Sequence, residues 1–193
     1  MRSLRYAARL AAVAALAACS PDAAPRTPTA PSLRVSRGAD ASRMLRNEQA
    51  VGFPKAVATM WAVRGQDRAM AIQYGDGTPY VTFRVGAASL VADASGAPLA
   101  PGDSVLITMR LLNPSVFAVE MQPSGLRFAA DAPAELQFNL ARAGHAAMRE
   151  QTLSFWKQES ASSPWEPVSA TFDYVARTAT AEIPGFTIYA IIY

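Results

Sequence analysis

The stretch that decides the fold is VLITMRLL, at residues 105–112. Every second side chain is apolar, so one side of an extended chain would carry Val105, Ile107, Met109 and Leu111. A period of two is the pattern of a β-strand that buries one face. Pro-Gly-Asp before the stretch and Asn-Pro after it are turn-forming sequences, so the strand is bounded at both ends.

The same organisation continues along the chain. Short apolar or β-branched runs, separated by Gly, Pro, Asp and Ser turns, predict about eight or nine strands, at residues 68–74, 80–85, 105–112, 116–121, 136–140, 152–157, 167–174, 178–183 and 186–193. The segment before them is ambiguous. Residues 58–63 fit an edge strand, and a short helix ended by Pro54 would be formed by Met44, Leu45, Ala50 and Val51.

Strands with one apolar face must pack as two sheets or close on themselves. The sequence therefore predicts an all-β fold, an antiparallel immunoglobulin-like β-sandwich over residues 51–193. Burial of the alternating side chains stabilises by about 25 cal/mol per Å² of apolar area. A body of this length can supply enough of that area without disulfide bonds.

Composition and charge exclude several function classes. The net charge of +3 comes from 18 basic and 15 acidic residues, and Arg2, Arg5 and Arg9 account for the whole excess. Residues 51–193 carry ten basic and twelve acidic residues, with only two lysines. A nucleic-acid partner is excluded because no basic cluster could displace counterions from phosphate. A single Cys and a single His exclude a disulfide scaffold and a Cys/His metal cluster, so we expect no metal and no cofactor.

The N-terminus has the organisation of an export signal. A basic start is followed at residues 10–18 by the uncharged run LAAVAALAA. As a helix that run would be about 14 Å long, whereas the hydrocarbon core of a bilayer is about 30 Å thick. Residues 1–18 are therefore predicted to be a signal peptide rather than a membrane span.

The end of that run is more specific. Leu16-Ala17-Ala18-Cys19 matches the lipobox of bacterial lipoproteins, in which the cysteine sulfur accepts a diacylglyceryl group. Cys19 is the only cysteine, and an unpaired exported thiol would otherwise be open to oxidation. We predict lipidation at Cys19, with membrane lipid as the partner of its acyl chains. Ser20 follows it and lacks the inner-membrane retention character of Asp, which favours the outer membrane of a bacterial envelope.

Residues 19–50 are predicted to be the lipidated Cys followed by a flexible Pro/Ala-rich tether. Four prolines fall within its first half, at positions 21, 25, 28 and 31. Such a composition cannot bury enough surface to offset its ordering entropy. Its prolines favour a semi-extended chain of at most about 3.1 Å per residue.

The order of short motifs in the body resembles a known interaction domain. The run 121–128 (MQPSGLRF), Pro133 and the later segments 165–168 (WEPV) and 183–191 (IPGFTIYAI) are similar to the ZU-five domain of zonula occludens proteins, netrin receptors and ankyrins. The likeness covers residues 80–193. It implies a β-sandwich interaction module, with Gly125 in a tight turn, Phe128 and Trp165 in the core and Pro133 at the start of a strand.

Some relatives in that family cleave themselves at a His-Phe-Ser segment. The matching residues here are Gly185, Phe186 and Thr187. Thr187 keeps a hydroxyl, but Gly185 provides no imidazole to assist it. The resemblance therefore implies no self-cleavage in this chain.

No constellation of residues predicts an enzyme. His145 is expected to be an exposed loop residue, because no G-x-S-x-G nucleophile motif accompanies it. Asp76 and Asp103 each lie in a Gly-containing turn, where their side chains cap backbone amides. An aromatic ligand platform would be formed by Trp61, Trp156 and Trp165. Of these, Trp165 is expected in the core and Trp156 is a candidate for surface contact.

These observations lead to one preferred hypothesis and several alternatives. The preferred one is an envelope lipoprotein whose sandwich is a non-catalytic module that binds a protein or surface component. The main alternative is an accessory subunit of an envelope enzyme. A minor alternative, an outer-membrane β-barrel, comes from the aromatic C-terminal pattern at Tyr189, Ile191 and Tyr193. A hydrolase that uses Thr187 or His145 is the least supported.

Overall fold

The computed structural model describes residues 43–48, 52–53, 55–144, 148 and 152–193. Within these ranges the fold is built from eleven β-strands, and the only helical positions are Arg43 and Met148. The strands are β1 (Val57–Val63), β2 (Arg68–Gln73), β3 (Pro79–Val85), β4 (Ser104–Leu111), β5 (Ala118–Gln122), β6 (Ala134–Asn139), β7 (Ser154–Gln158), β8 (Glu166–Val168), β9 (Ala170–Asp173), β10 (Thr178–Ile183) and β11 (Ile188–Ile192).

The strands form two sheets, and every pairing within them is antiparallel. The six-stranded sheet has the order β1-β4-β5-β11-β7-β8, and the five-stranded sheet has the order β2-β3-β6-β10-β9. The prediction of an all-β antiparallel sandwich is therefore confirmed. The predicted edge strand at residues 58–63 is also confirmed, because β1 ends the order of its sheet.

The core lies between the sheets and comes from alternate residues of facing strands. From the six-stranded sheet, β4 buries Ile107, Met109 and Leu111, as the alternation predicted. The five-stranded sheet contributes Phe83 from β3 and Phe138 from β6, among others. Each strand thereby pairs its backbone within its own sheet and buries one face of side chains against the other sheet.

One predicted strand is wrong. Residues 167–174 form two strands, β8 in the six-stranded sheet and β9 in the five-stranded sheet, and Ser169 carries the chain between them. Val168, Ala170 and Phe172 all pack on the same core. A strand that switches sheets at the edge of a sandwich keeps facing the shared core, so its alternation continues through the break.

Residues 44–48 run alongside the six-stranded sheet in an extended form, so the short helix expected at Met44 and Leu45 is wrong. Met44 bridges to Ile192, and the Leu45 amide donates to the Ile191 carbonyl at 2.8 Å. Leu45 is buried in the main core. The proposed partners of this helix, Ala50 and Val51, lie outside the described residues.

The Tyr80 hydroxyl joins the two sheets. Tyr80 belongs to β3 of the five-stranded sheet and is fully buried. Its hydroxyl donates to the Val116 carbonyl at 2.8 Å and accepts from the Ala118 amide at 2.9 Å, at the start of β5 in the opposite sheet. Its ring stacks on Phe117, with the ring centroids 5.3 Å apart. Tyr80 therefore fixes β5 by hydrogen bonds and by packing at one position.

We predict that Tyr80→Phe lowers the free energy of unfolding by about 1 to 3 kcal/mol, because it removes the hydroxyl from the buried Ala118 amide and the part-buried Val116 carbonyl. Urea denaturation followed by circular dichroism measures this. Tyr74→Phe is the matched control, since no hydrogen bond joins the buried Tyr74 hydroxyl to the backbone of a described strand. Equal losses in the two variants would contradict a bridging role for Tyr80.

Candidate interaction surface

The free edge of β1 exposes unpaired backbone. The amide of Leu111 donates to the carbonyl of Ala56 at 2.9 Å, and that of Arg64 to the carbonyl of Asp103 at 2.8 Å. Even-numbered residues therefore bond to β4, and the N–H and C=O groups of the odd-numbered residues point away from it. Within the described ranges, no backbone group pairs with Val57, Thr59 or Trp61 on that side.

Apolar side chains are exposed beside this edge. Trp61 and Leu106 are register partners on the outer face of the six-stranded sheet, and they are 58% and 46% exposed. Val57, on the same face of β1, is 42% exposed. Directly opposed side chains on one face lie close enough to touch. We call this group, Val57, Trp61 and Leu106, the Trp61 surface.

The rest of the outer face is covered or charged. Next to the Trp61 surface, Arg110 and Glu120 form a cross-strand ion pair at 2.7 Å. Beyond it Met44 and Trp165 pack over the sheet and bury the outward side chains of Ala118 and Ala190. The exposed apolar part of this face is therefore confined to its β1–β4 end.

The structure places Trp61 apart from the cluster that contains Trp165 and contacts Trp156, so the single platform that the three tryptophans suggested is not formed. Trp165 is buried, as predicted, in the small cluster on the outer face. Trp156 is half-buried against that cluster, and its indole N–H donates to the Ser154 hydroxyl at 2.7 Å. Trp61 alone presents its ring to solvent.

A groove runs along the seam between the edges of the two sheets. It has a volume of about 650 Å³ and is lined by Val57 and Thr59 of β1 and by Ala71 and Gln73 of β2, among others. β1 and β2 are the edge strands of their sheets on this side. Among the described residues, this groove lies alongside the unpaired edge of β1.

A polar node lies at the end of the sandwich that contains the β2–β3 turn. The Arg142 guanidinium lies over the Tyr74 ring, 4.2 Å from its centroid, and forms an ion pair with Asp76. Burial raises the pKa of Tyr74 to about 12, although Arg142 acts against this shift. The Thr78 hydroxyl is the main cause of the lowered pKa of Asp76. This arrangement fastens the turn to the segment that follows β6.

Both predicted turn aspartates cap backbone amides. Asp76 accepts from the amide of Thr78 at 3.0 Å, and Asp103 accepts from the amide of Ala100 at 2.6 Å. Each carboxylate thus takes up a turn amide that no strand pairs. These two predictions are confirmed.

Gly185 and Thr187 are tightly enclosed. A Cβ atom at position 185 would lie 2.6 Å from the Leu126 carbonyl oxygen, so the backbone leaves no space for a side chain. Thr187 is buried, and its hydroxyl donates to the Gln158 carbonyl. That hydroxyl serves as a structural donor beside β7.

The predicted lipobox residues Leu16, Ala17 and Ala18 and the lipidation residue Cys19 lie outside the described residues, as does His145. In the part of the chain that the structure describes, no three His, Cys, Asp or Glu side chains gather as metal ligands. No helix among these residues has the length and apolar character needed to cross a membrane.

Comparisons with known proteins give no further identification. No family model, no curated protein and no solved structure matches this chain.

Part of the Trp61 surface is predictable from the sequence. The edge strand at residues 58–63 was predicted, and the assignment of one face of residues 105–111 to the core leaves Leu106 on the opposite face. Alternation could not predict that Trp61 pairs with Leu106. That pairing depends on β1 joining β4, which is distant in the chain.

We predict that the protein loses stability as pH rises above about 10, where tyrosines of an unfolded chain ionise. The buried Tyr74, Tyr80 and Tyr189 have raised pKa values in the fold, chiefly because burial disfavours the phenolate. Their contribution is fully present below pH 10 and, for Tyr74, is lost between about 10 and 12. Each such tyrosine lowers stability by about 1.4 kcal/mol per pH unit in its window.

Urea midpoints measured at intervals from pH 9 to about 11.5 test this. In Tyr74→Phe the urea midpoint is expected to fall less steeply with pH, because one of the three buried tyrosines has been removed. A decline that is identical in the variant and the wild type would contradict the assignment to Tyr74.

Proposed function

We propose that this chain is a bacterial envelope lipoprotein, held in the outer membrane through acyl chains on Cys19. The support is the sequence Leu-Ala-Ala-Cys at the end of a signal-like apolar run, with Cys19 as the only cysteine. One myristoyl chain gives only marginal membrane binding, whereas two or more chains give stable anchoring. Ser20 is the feature that favours the outer membrane.

The β-sandwich is proposed to be a non-catalytic module that binds a protein or surface component. The observation that carries this is the Trp61 surface, an exposed Trp–Leu pair next to unpaired backbone. Elsewhere on that face, apolar side chains are covered by Met44 and Trp165. Tryptophan is enriched among the residues that dominate binding energy, and exposed apolar patches mark interaction sites.

For the anchor, we predict that the wild type incorporates labelled palmitate in a bacterial host and that Cys19→Ala does not. The thiol is the acceptor of the lipid, so its removal also shifts the protein out of the membrane fraction. Ser20→Ala is the matched control, and it is expected to keep the label. Label that persists in Cys19→Ala would overturn the anchor.

For the module, we predict that a photo-crosslinking amino acid at position 106 yields a discrete crosslinked product in intact cells. The same probe at Thr171, exposed on β9 of the other sheet, is the control and should not yield that product. Trp61→Ala in the presence of the position-106 probe should reduce the yield severalfold. Because Trp61 is exposed, this variant should change stability by less than about 1 kcal/mol.

Identical products from positions 106 and 171 would show that the Trp61 surface has no selectivity. An unchanged yield in Trp61→Ala would remove Trp61 from the proposed site.

A further inference from the structure

We propose that the free edge of β1 receives an extended segment of a partner protein, which adds a strand to the six-stranded sheet and has acidic residues at its ends. This inference rests on the proposed function and specifies the class of partner. Strand addition at a sheet edge derives affinity from main-chain hydrogen bonds and specificity from alternate side chains. The outward N–H and C=O groups of Val57, Thr59 and Trp61 provide the main-chain hydrogen-bonding groups.

Comparison of the four sheet edges singles out β1. Natural edges are protected by short length, proline, charge or bulges. β8 has three residues and contains Pro167, and β9 has four and ends at Asp173. β2 begins at the charged Arg68 and has a register shift at its other end. Only β1, among the described strands at an edge, is seven residues long with no charge, proline or glycine.

The surroundings of β1 accommodate the side chains of an added strand on both faces. On the outer face, alternate residues of the partner would lie beside Trp61 and extend the Trp61 surface. On the inner face, its other residues would lie over the groove of about 650 Å³ where Ala58 of β1 and Met70 and Ile72 of β2 line it. A partner with apolar residues at alternate positions fits this arrangement.

Charge decides between a different protein and a second copy. Lys55 and Arg64 flank β1, and neither forms an ion pair with another described residue. The carboxylate of Asp103, which lies beside Arg64, accepts from the Ala100 amide instead. An antiparallel copy centred on Met60 would bring Lys55 of one chain to the Arg64 end of the other. Repulsion between these like charges opposes the pairing of two copies. Acidic residues at the ends of a different partner would instead attract Lys55 and Arg64.

The test uses the full chain and a synthetic peptide, acetyl-Glu-Thr-Val-Thr-Val-Thr-Val-Glu-amide, with binding measured by fluorescence anisotropy. The first variant is Thr59→Pro. The Thr59 amide points away from β4, so proline removes a donor from the free edge and none from the β1–β4 ladder. Thr59→Val is the matched control, because it keeps the amide.

We expect Thr59→Pro to weaken peptide binding at least tenfold and Thr59→Val to leave it within twofold. A peptide N-methylated at alternate residues should lose binding to a similar degree, and one with Lys in place of both Glu residues should bind severalfold more weakly. Equal binding by Thr59→Pro, or no binding of the parent peptide up to about 1 mM, overturns the proposal.

Amide hydrogen exchange of the wild type keeps the test decisive if Thr59→Pro does not fold. Saturating peptide should protect the amides of Thr59 and Trp61 and leave that of Thr171 unchanged. Protection that is absent from β1 overturns strand addition, as does a concentration-dependent dimer that pairs through β1. The crosslinking and palmitate results are independent of this readout, so the proposed function can hold while the strand-addition proposal fails.

Discussion

The Tyr80 hydroxyl of the five-stranded sheet forms the hydrogen bonds that align this sheet with the six-stranded sheet. It bonds the Val116 carbonyl and the Ala118 amide from the opposite sheet, with no exposure to solvent. Buried polar groups are costly unless they are paired, and this alignment of β3 and β5 pairs the Tyr80 hydroxyl with both backbone groups. β5 in turn lies between β4 and β11, and β4 carries β1 at the edge. The position of the exposed edge therefore depends on a contact in the centre of the fold.

Periodicity predicts the strands of this protein well because most of them bury one face and no more. The run at 105–112 and the strand at 178–183 follow directly from alternate side chains. The break at Ser169 could not be found in this way, since both strands beside it face the same core. Met44 was also hidden, because its partner Ile192 is at the far end of the chain. Long-range pairing of this kind leaves no trace in local pattern.

The candidate site shows the same division between local and long-range information. An edge strand at residues 58–63 was predictable from its composition and its position beside Pro54. The exposed Trp–Leu pair was not, since it needs the register of two strands more than forty residues apart. The contrast among the four sheet edges likewise emerges only when the strand order is known. Three of the described edges carry features that discourage pairing with other chains, whereas β1 itself contains no charge, proline or glycine. The unpaired backbone of β1 and the exposed Trp61 side chain thus lie at the same edge of the described structure.

For a chain anchored at Cys19, as proposed above, the pairing of Met44 with Ile192 has a mechanical consequence. Among the described residues, a pull from the N-terminal side first meets the hydrogen bonds of Arg43 and Leu45 with Tyr193 and Ile191. These join β11, an interior strand supported on both sides by β5 and β7. Tension would thus spread into the middle of the six-stranded sheet. β1 lies three strands from β11 in the same sheet, so we expect its edge to stay undistorted when the N-terminus is pulled.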